Sequence, residues 1–383
     1  MRLTAIPRGV LLVTPVRERR PVNVCFVIDR LSRAGTETQL LALIRHLDRM
    51  KVRPSLCLLS GDGSSNDLYP DDCPVLELGF NKLVCPAAIP AAAKMAGFWR
   101  RKQTDVVVTY FLDSTYFAVP VARLCGIRHV VRVRNNVGYW LTPLHRRLGR
   151  VVGKLCSVTL TNSEDGRQAL AANEGLPTDR VRVIENGVDV DRFPVTRPPD
   201  TGGQAVRVGA VANFRPVKNI DGLVRAATVV CRADPRVRFE VAGEGDERPD
   251  LEAQIRTAGL EDRFRLSGTT RDVPGFLARL DIAVLCSHSE SMSNALLEYM
   301  AAGRAIVATD VGSNGRLVRH EREGLIVPPG NDDALIKAIE RLLGDWSLAR
   351  RLGTAARERV TSEFSRGAMV GRFEEFFSSL VKK

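Results

Sequence analysis

Short runs rich in Val, Ile and Leu alternate along the chain with longer stretches in which apolar residues recur at helical spacing, the pattern of strands alternating with helices. In the first half the runs are VNVCFVID, PSLCLL, PVLEL, DVVVTY, HVVRV, SVTLT and VRVIE. In the second half they are VRVGAV, VRFEVAG, RFRLSG, DIAVLC, AIVATD and GLIVPPG. Such alternation predicts parallel sheets with helices on both faces. Between the halves, PVTRPPDTGGQA has the prolines and glycines of an exposed linker. The predicted fold class is therefore α/β, with two Rossmann-like parallel-sheet domains at residues 21–193 and 206–363 that face each other across a cleft. Residues 1–20 are expected to form a flexible extension, 194–205 the linker, and 364–383 a C-terminal helix that crosses back to the first domain.

Composition narrows the class. A chain of 383 residues, 44% of them hydrophobic, exceeds one ordinary core and is too apolar for disorder. Its apolar runs fall short of the roughly 18 residues that span a bilayer. GVLLVTPV near the N-terminus leads into RERR instead of a small-residue cleavage site, so a cytoplasmic protein is expected. Eight cysteines lack any CxxC pair and five histidines lack ligand spacing, so neither a disulfide framework nor a metal site is expected. The net charge of +12 is uneven: residues 1–195 hold 28 Lys and Arg against 18 Asp and Glu, the remainder 28 against 26. Nucleic acid is one partner for such a basic half, but no nucleic-acid motif accompanies it; an anionic membrane or an acidic acceptor fits as well.

In open parallel sheets ligands bind beyond the carboxyl ends of the strands, so the strand-to-helix turns carry the chemistry. In SHSESMSNALLEYMAAG, Ser293 is the predicted N-cap of a helix, which leaves the backbone N–H groups of Met292, Ser293 and Asn294 aimed into the cleft as an anion site. Glu298 would lie roughly 7 Å along that helix, leaning back towards its start, where a carboxylate accepts from both hydroxyls of a diol. Glu290, before the helix, would sit beyond the phosphates and grip a second polyol. The pair fits a ligand with sugar, diphosphate and ribose in a row. Two such glutamates also occur on ordinary solvated helices, and it is the apolar neighbours of Glu298 that argue for burial.

NFRPVKN adds cations: Arg215 and Lys218 can neutralise a diphosphate, one as a planar fork and one as a point charge. AGTETQLLALIRHL combines Gly35, which permits close approach to the backbone, with a predicted capping box from Thr36 to Gln39. Gly243, in VAGEGDE, is placed with Gly35 and Thr36 on the donor side. The two glycines there do not complete G-x-G-x-x-G, so a nicotinamide cofactor is not supported.

With these turns the sequence resembles a retaining family-4 glycosyltransferase of the GT-B fold. The resemblance runs through AGTETQLL, TNSEDGRQAL, VRVIENGVDVDRF, VANFRPVKNIDGLVRAA, VAGEGDE, RLSGTTRDV, SESMSNALLEYMAAGRAIVATDVG and GLIVPPGNDDAL, in the family's order. It implies that Glu290 meets the donor sugar, that Glu298 meets the ribose, and that Arg215 and Lys218 hold the diphosphate. It further implies a nucleotide diphosphate sugar as co-substrate with no cofactor or required metal, and a front-face transfer in which the leaving phosphate takes the acceptor's proton. Arg134 and Asn135, after HVVRV, fall on the acceptor side. Two departures stand out. Ala212 and Asn213 occupy the place where many members carry Gly-Arg, so Arg215 supplies the cation from a shifted position. Ser291 replaces the usual glycine, and its Cβ narrows the sugar pocket or alters the turn.

Other readings are a nucleotide-sugar epimerase, a non-catalytic partner subunit that binds nucleotide, and a nucleic-acid-binding protein. PLHRRLGRVVGKLC bears on the acceptor. It sets Arg146, Arg147, Arg150 and Lys154 on one side of a helix and Leu144, Leu148, Val151, Val152 and Leu155 on the other. Either the apolar stripe packs on the sheet, or the basic face rests on anionic lipid and brings the cleft to a saccharide or lipid-linked acceptor at the inner face of the membrane.

Overall fold

The computed structural model describes residues 20–32, 34–60, 66–80, 85–135, 142–194 and 205–382. The expected N-terminal extension, except Arg20, and the expected linker, except Pro194 and Ala205, lie outside these residues. The first sheet contains β1 (Val22–Ile28), β2 (Val52–Leu58), β3 (Val75–Glu77), β4 (Val106–Tyr110), β5 (His129–Val133), β6 (Val158–Thr161) and β7 (Val181–Val183). The second contains β8 (Val206–Val211), β9 (Val237–Ala242), β10 (Phe264–Gly268), β11 (Ile282–Leu285), β12 (Ala305–Thr309) and β13 (Leu325–Val327). The helices of the first half are α1 (Gly35–His46), α2 (Ala88–Arg101), α3 (Leu112–Leu124), α4 (Pro143–Leu155) and α5 (Glu164–Glu174). Then follow α6 (Ile220–Ala233), α7 (Arg248–Thr257), α8 (Val273–Ala278), α9 (Asn294–Ala301), α10 (Asn314–Leu317), α11 (Asp332–Gly344), α12 (Trp346–Glu363) and α13 (Arg366–Val381).

Every strand pairing among the described residues is parallel, in the orders β3-β2-β1-β4-β5-β6-β7 and β10-β9-β8-β11-β12-β13. Alternation along each strand feeds two cores. In β1, Val24, Phe26 and Ile28 enter one hydrophobic cluster and Cys25 and Val27 the other. In β11, Ile282 and Val284 face one way and Ala283 and Leu285 the other. Strands buried on both faces need helices on both faces, which accounts for the near-continuous apolar runs of the sequence.

The chain ends on the first sheet. Val188 and the segment after α12 exchange backbone hydrogen bonds: Val188 donates to Phe364 at 3.0 Å, and Arg366 donates to Val188 at 2.8 Å. Helix α13 then packs Met369, Val370, Phe373 and Phe377 into the first domain's core, with the Phe377 ring edge-on to Phe26 at 6.0 Å. Glu374 on the same helix accepts from the Asp48 backbone and from Lys51 Nζ, each at 2.8 Å. Truncating Phe377 to alanine would cost about 3–5 kcal/mol at this seam.

Helix α4 does not pack through its apolar stripe. Gly149, Val152 and Gly153 are its buried residues, whereas Leu144, Leu148, Val151 and Leu155 are exposed, as are Arg146, Arg147, Arg150 and Lys154. The reason lies beneath it. Arg132 donates to the Gly149 carbonyl at 3.0 Å and pairs with Glu174 at 2.5 Å, both side chains being 1% exposed. A Cβ on Gly149 would lie 2.8 Å from the Glu174 carboxylate, so only a glycine face fits over this buried ion pair.

Candidate active site

Each sheet has a switch point where successive connections leave in opposite directions: between β1 and β4 in the first, between β8 and β11 in the second. Ligands of open α/β sheets bind in such crevices. At the second switch point the turn after β8 forms a short 3₁₀ helix, Pro216–Lys218, and is pinned to the loop after β11. His288 donates to the Val217 carbonyl at 2.8 Å, and Asn219 donates through Nδ2 to the Cys286 carbonyl at 3.1 Å. This brings Lys218 Nζ to 2.6 Å from Glu290 Oε1, which also accepts from Ser287 Oγ at 2.7 Å. The Lys218 and Glu290 side chains are 25% and 10% exposed, so the pair is partly withdrawn from solvent. Arg215 is exposed, and its guanidinium makes no hydrogen bond or ion pair with the described residues.

Helix α9 starts three residues after Ser291. Ser293 caps it, its Oγ accepting from Leu296 N at 3.3 Å. The backbone N–H groups of Met292, Ser293 and Asn294 find no acceptor among the described residues, the condition that makes a helix start an anion site. Glu298 lies half-buried on this helix, and its carboxylate makes no hydrogen bond to a described residue. Burial pushes its pKa up to about 7, with Arg192 pulling the other way. Gly243 follows β9, its N–H donating to the Gly268 carbonyl at 2.9 Å, and a Cβ there would collide with the carbonyl of Ala212, just after β8, so the close approach of that turn accounts for this glycine.

The start of α9 meets the first domain. Asn294 Oδ1 accepts from Gln39 Nε2 at 3.1 Å and from Asn186 Nδ2 at 2.8 Å, and its Nδ2 donates to the Gly35 carbonyl at 3.2 Å. Two expectations change here. The group that approaches Gly35 is the Asn294 amide, 2.7 Å from where a Cβ would stand. The capping box is not formed: α1 begins at Gly35 with Ala34 as its uncapped N-cap, because the Gln39 amide is engaged by Asn294 and by Gly187 at 3.0 Å. Ser291 likewise turns to the first domain, its Oγ 2.8 Å from both Ser163 Oγ and Asn162 Oδ1. Met292 Sδ accepts from the Asn186 backbone at 3.2 Å.

Asn162, Ser163 and Asn186 escaped the reading of the sequence, as did the contact of Gln39 across the cleft, since nothing local in an amide or hydroxyl announces a partner over a hundred residues away. Arg134 and Asn135 fall at the first switch point, beside Thr36, around a cavity of about 260 Å³. Among the described residues no three His, Cys, Asp or Glu side chains are grouped to hold a metal ion.

Two Rossmann-like parallel-sheet domains, with the capped start of α9 and the Lys218–Glu290 pair at the second domain's switch point, define the GT-B class. The sequence profile described as Glycosyltransferase Family 4 matches residues 33–192, and that described as Glycosyl transferases group 1 matches residues 201–359. The lipopolysaccharide core biosynthesis glycosyltransferase LpsD of Rhizobium meliloti is 31% identical over 286 residues, 74% of this chain and 78% of LpsD. The exopolysaccharide phosphotransferase SCO2592 of Streptomyces coelicolor is 33% identical over 327 residues; the match covers 83% of this chain but 34% of that protein. The chain belongs to the family-4, group 1 glycosyltransferases. Its fold is shared with Anabaena Alr3699/HepE, solved in complex with UDP, at a TM-score of 0.81 and 21% identity over 94% of this chain and 100% of that one.

Proposed function

We propose that this chain is a retaining glycosyltransferase that moves a sugar from a nucleotide diphosphate sugar to an acceptor hydroxyl in polysaccharide, glycolipid or other glycoconjugate biosynthesis. The observation that carries the reading is the Lys218–Glu290 pair at the second switch point, immediately before the capped start of α9. In this reading the unpaired N–H groups at that helix start, with Lys218 and Arg215, hold the diphosphate, and Glu298 accepts from the ribose diol. Glu290 meets the donor sugar. The bond from the anomeric carbon to the phosphate oxygen breaks, the acceptor oxygen bonds to the same face of that carbon, and the acceptor's proton passes to the leaving phosphate. No side chain is assigned as general base and no metal is required, because the cations and helix start stabilise the charge that grows on the leaving group. UDP is the first nucleotide to test, given the UDP complex of the Anabaena protein. A thermal-shift series with UDP, GDP and ADP tests the donor site: one nucleotide should raise the melting temperature, and no shift with any of them would contradict the reading.

The same reading places the protein at the cytoplasmic face of a membrane, with α4 against anionic lipid. Support comes from the exposed stripe of Leu144, Leu148, Val151 and Leu155 beside four exposed cations. Each cation near an anionic surface contributes about 1 kcal/mol, and the apolar stripe adds insertion at the headgroup boundary. Arg123 donates to the Leu155 carbonyl at 2.6 Å, tying the end of α3, where Leu124 is also exposed, to the end of α4. None of the helices among the described residues is long and apolar enough to cross a membrane.

A further inference from the structure

The cavity at the first switch point has a charge pattern of its own. It is lined by Asp29 after β1, Phe111 and Asp113 after β4, Arg134 and Asn135 after β5, and Thr36 of α1. Thr36 follows Gly35, whose carbonyl accepts from Asn294, so the cavity abuts the start of α9. Arg134 is 4% exposed. One of its terminal nitrogens lies 3.4 Å from Glu174 Oε1, and its Nε is buried with no hydrogen-bond partner among the described residues. The guanidinium is thus only partly paired within the protein, on a side chain that lines the cavity. Asp29 is fixed by the Ser114 backbone N–H, 2.7 Å from its Oδ1. Phe111 beside it is held at φ 64° and ψ −178°, a conformation that is strained for a non-glycine residue and that concentrates at functional sites.

The charges sum to an excess of carboxylate. Arg132 and Arg134 share Glu174, leaving one positive charge, against Asp29, Asp113 and the nearby buried Glu37. Burial raises the Asp29 pKa, and Asp113 and Glu37 add to the effect, as expected of a carboxylate facing like charge.

Building on the glycosyltransferase reading, in which this side of the cleft takes the acceptor, we propose that the cavity selects an uncharged, hexose-sized polyol over an anionic one, with Asp29 accepting from one hydroxyl and Arg134 donating to its neighbour. Asp29 and Asp113 exclude anionic sugars, whose carboxylate or phosphate would meet like charge.

Saturation-transfer NMR on the full chain saturated with UDP tests this, with methyl α-glucoside and glucuronate as probes of similar size and opposite charge character. Methyl α-glucoside should bind about tenfold more tightly than glucuronate. Asp29→Asn keeps an acceptor oxygen for the Ser114 N–H, so the fold is preserved. It should weaken methyl α-glucoside about tenfold and narrow the gap to glucuronate. Equal or tighter binding of glucuronate, binding of neither sugar, or an unchanged preference in Asp29→Asn overturns the proposal. The UDP affinity of the wild-type chain separates the two levels. Normal UDP binding with a failed sugar preference removes this inference alone, whereas absent UDP binding removes the donor reading beneath it.

Discussion

Lys218 Nζ stands 2.6 Å from Glu290 Oε1, so a cation and a carboxylate more than seventy residues apart in sequence form one ion pair between the turns after β8 and β11. The pairing holds the two turns together just before the start of α9. Bound diphosphate would compete with Glu290 for Lys218 and free the carboxylate for the sugar.

Lys218→Ala should therefore lower kcat by about 10²-fold while changing donor affinity less, since leaving-group charge grows in the transition state. Arg215→Ala should act in the same direction by a smaller factor, because its side chain starts exposed. Glu290→Ala should also depress kcat. Steady-state kinetics paired with calorimetric donor binding checks all three, and a raised KM with unchanged kcat would reduce these groups to simple binding.

Glu298 gives a pH dependence. Its pKa is pushed up to about 7 by burial, above the ordinary glutamate value of 4.5. Donor affinity should fall as pH drops from about 8 to 6, because the protonated acid accepts less well from a diol, and Glu298→Gln should flatten the profile. Stability runs the other way. Between the two pKa values the folded chain keeps a proton that the unfolded chain has released, so the contribution present below pH 4.5 is lost as pH rises through 7. Glu298→Gln should raise Tm at pH 8 and leave it little changed at pH 4.5, as thermal melts at the two pH values would reveal.

Ser291 joins Asn162 and Ser163 across the cleft, so Ser291→Gly should loosen the domain seam more than the sugar pocket. A loss of about 1 kcal/mol in stability with donor affinity retained is expected. Tighter donor binding in the variant would show instead that the Cβ obstructs the pocket.

The strands and the α9 cap were legible because their signals are local: apolar runs of strand length, and a serine before a good helix former. The capping box failed for the opposite reason. Thr36 and Gln39 have the right spacing, but Gln39 is drawn to Asn294, 255 residues away. In α4 the periodicity marked the apolar stripe, yet the buried Arg132–Glu174 pair favoured the glycine face, and sequence spacing does not say which face a neighbour will take. Asp29 could have been found, since it is the first polar residue after β1 and so obeys the same strand-end rule that selected Lys218 and Glu290.

Vesicle co-sedimentation tests α4. Binding to anionic vesicles should exceed binding to neutral ones and fall at high salt, and Leu148→Asp with Val151→Asp should abolish it while leaving the UDP-induced thermal shift intact. Equal binding to both lipids, or binding unaffected by the double variant, would make the stripe ordinary surface.

The transfer itself is read most directly by proton NMR of the anomeric centre, with UDP-glucose, methyl α-glucoside as acceptor, and EDTA present throughout. Expected is release of UDP together with a new glycoside that keeps the α configuration of the donor. An inverted β product, turnover that disappears in EDTA and returns with Mg²⁺, or isomerised nucleotide sugar without transfer would contradict a metal-independent retaining glycosyltransferase.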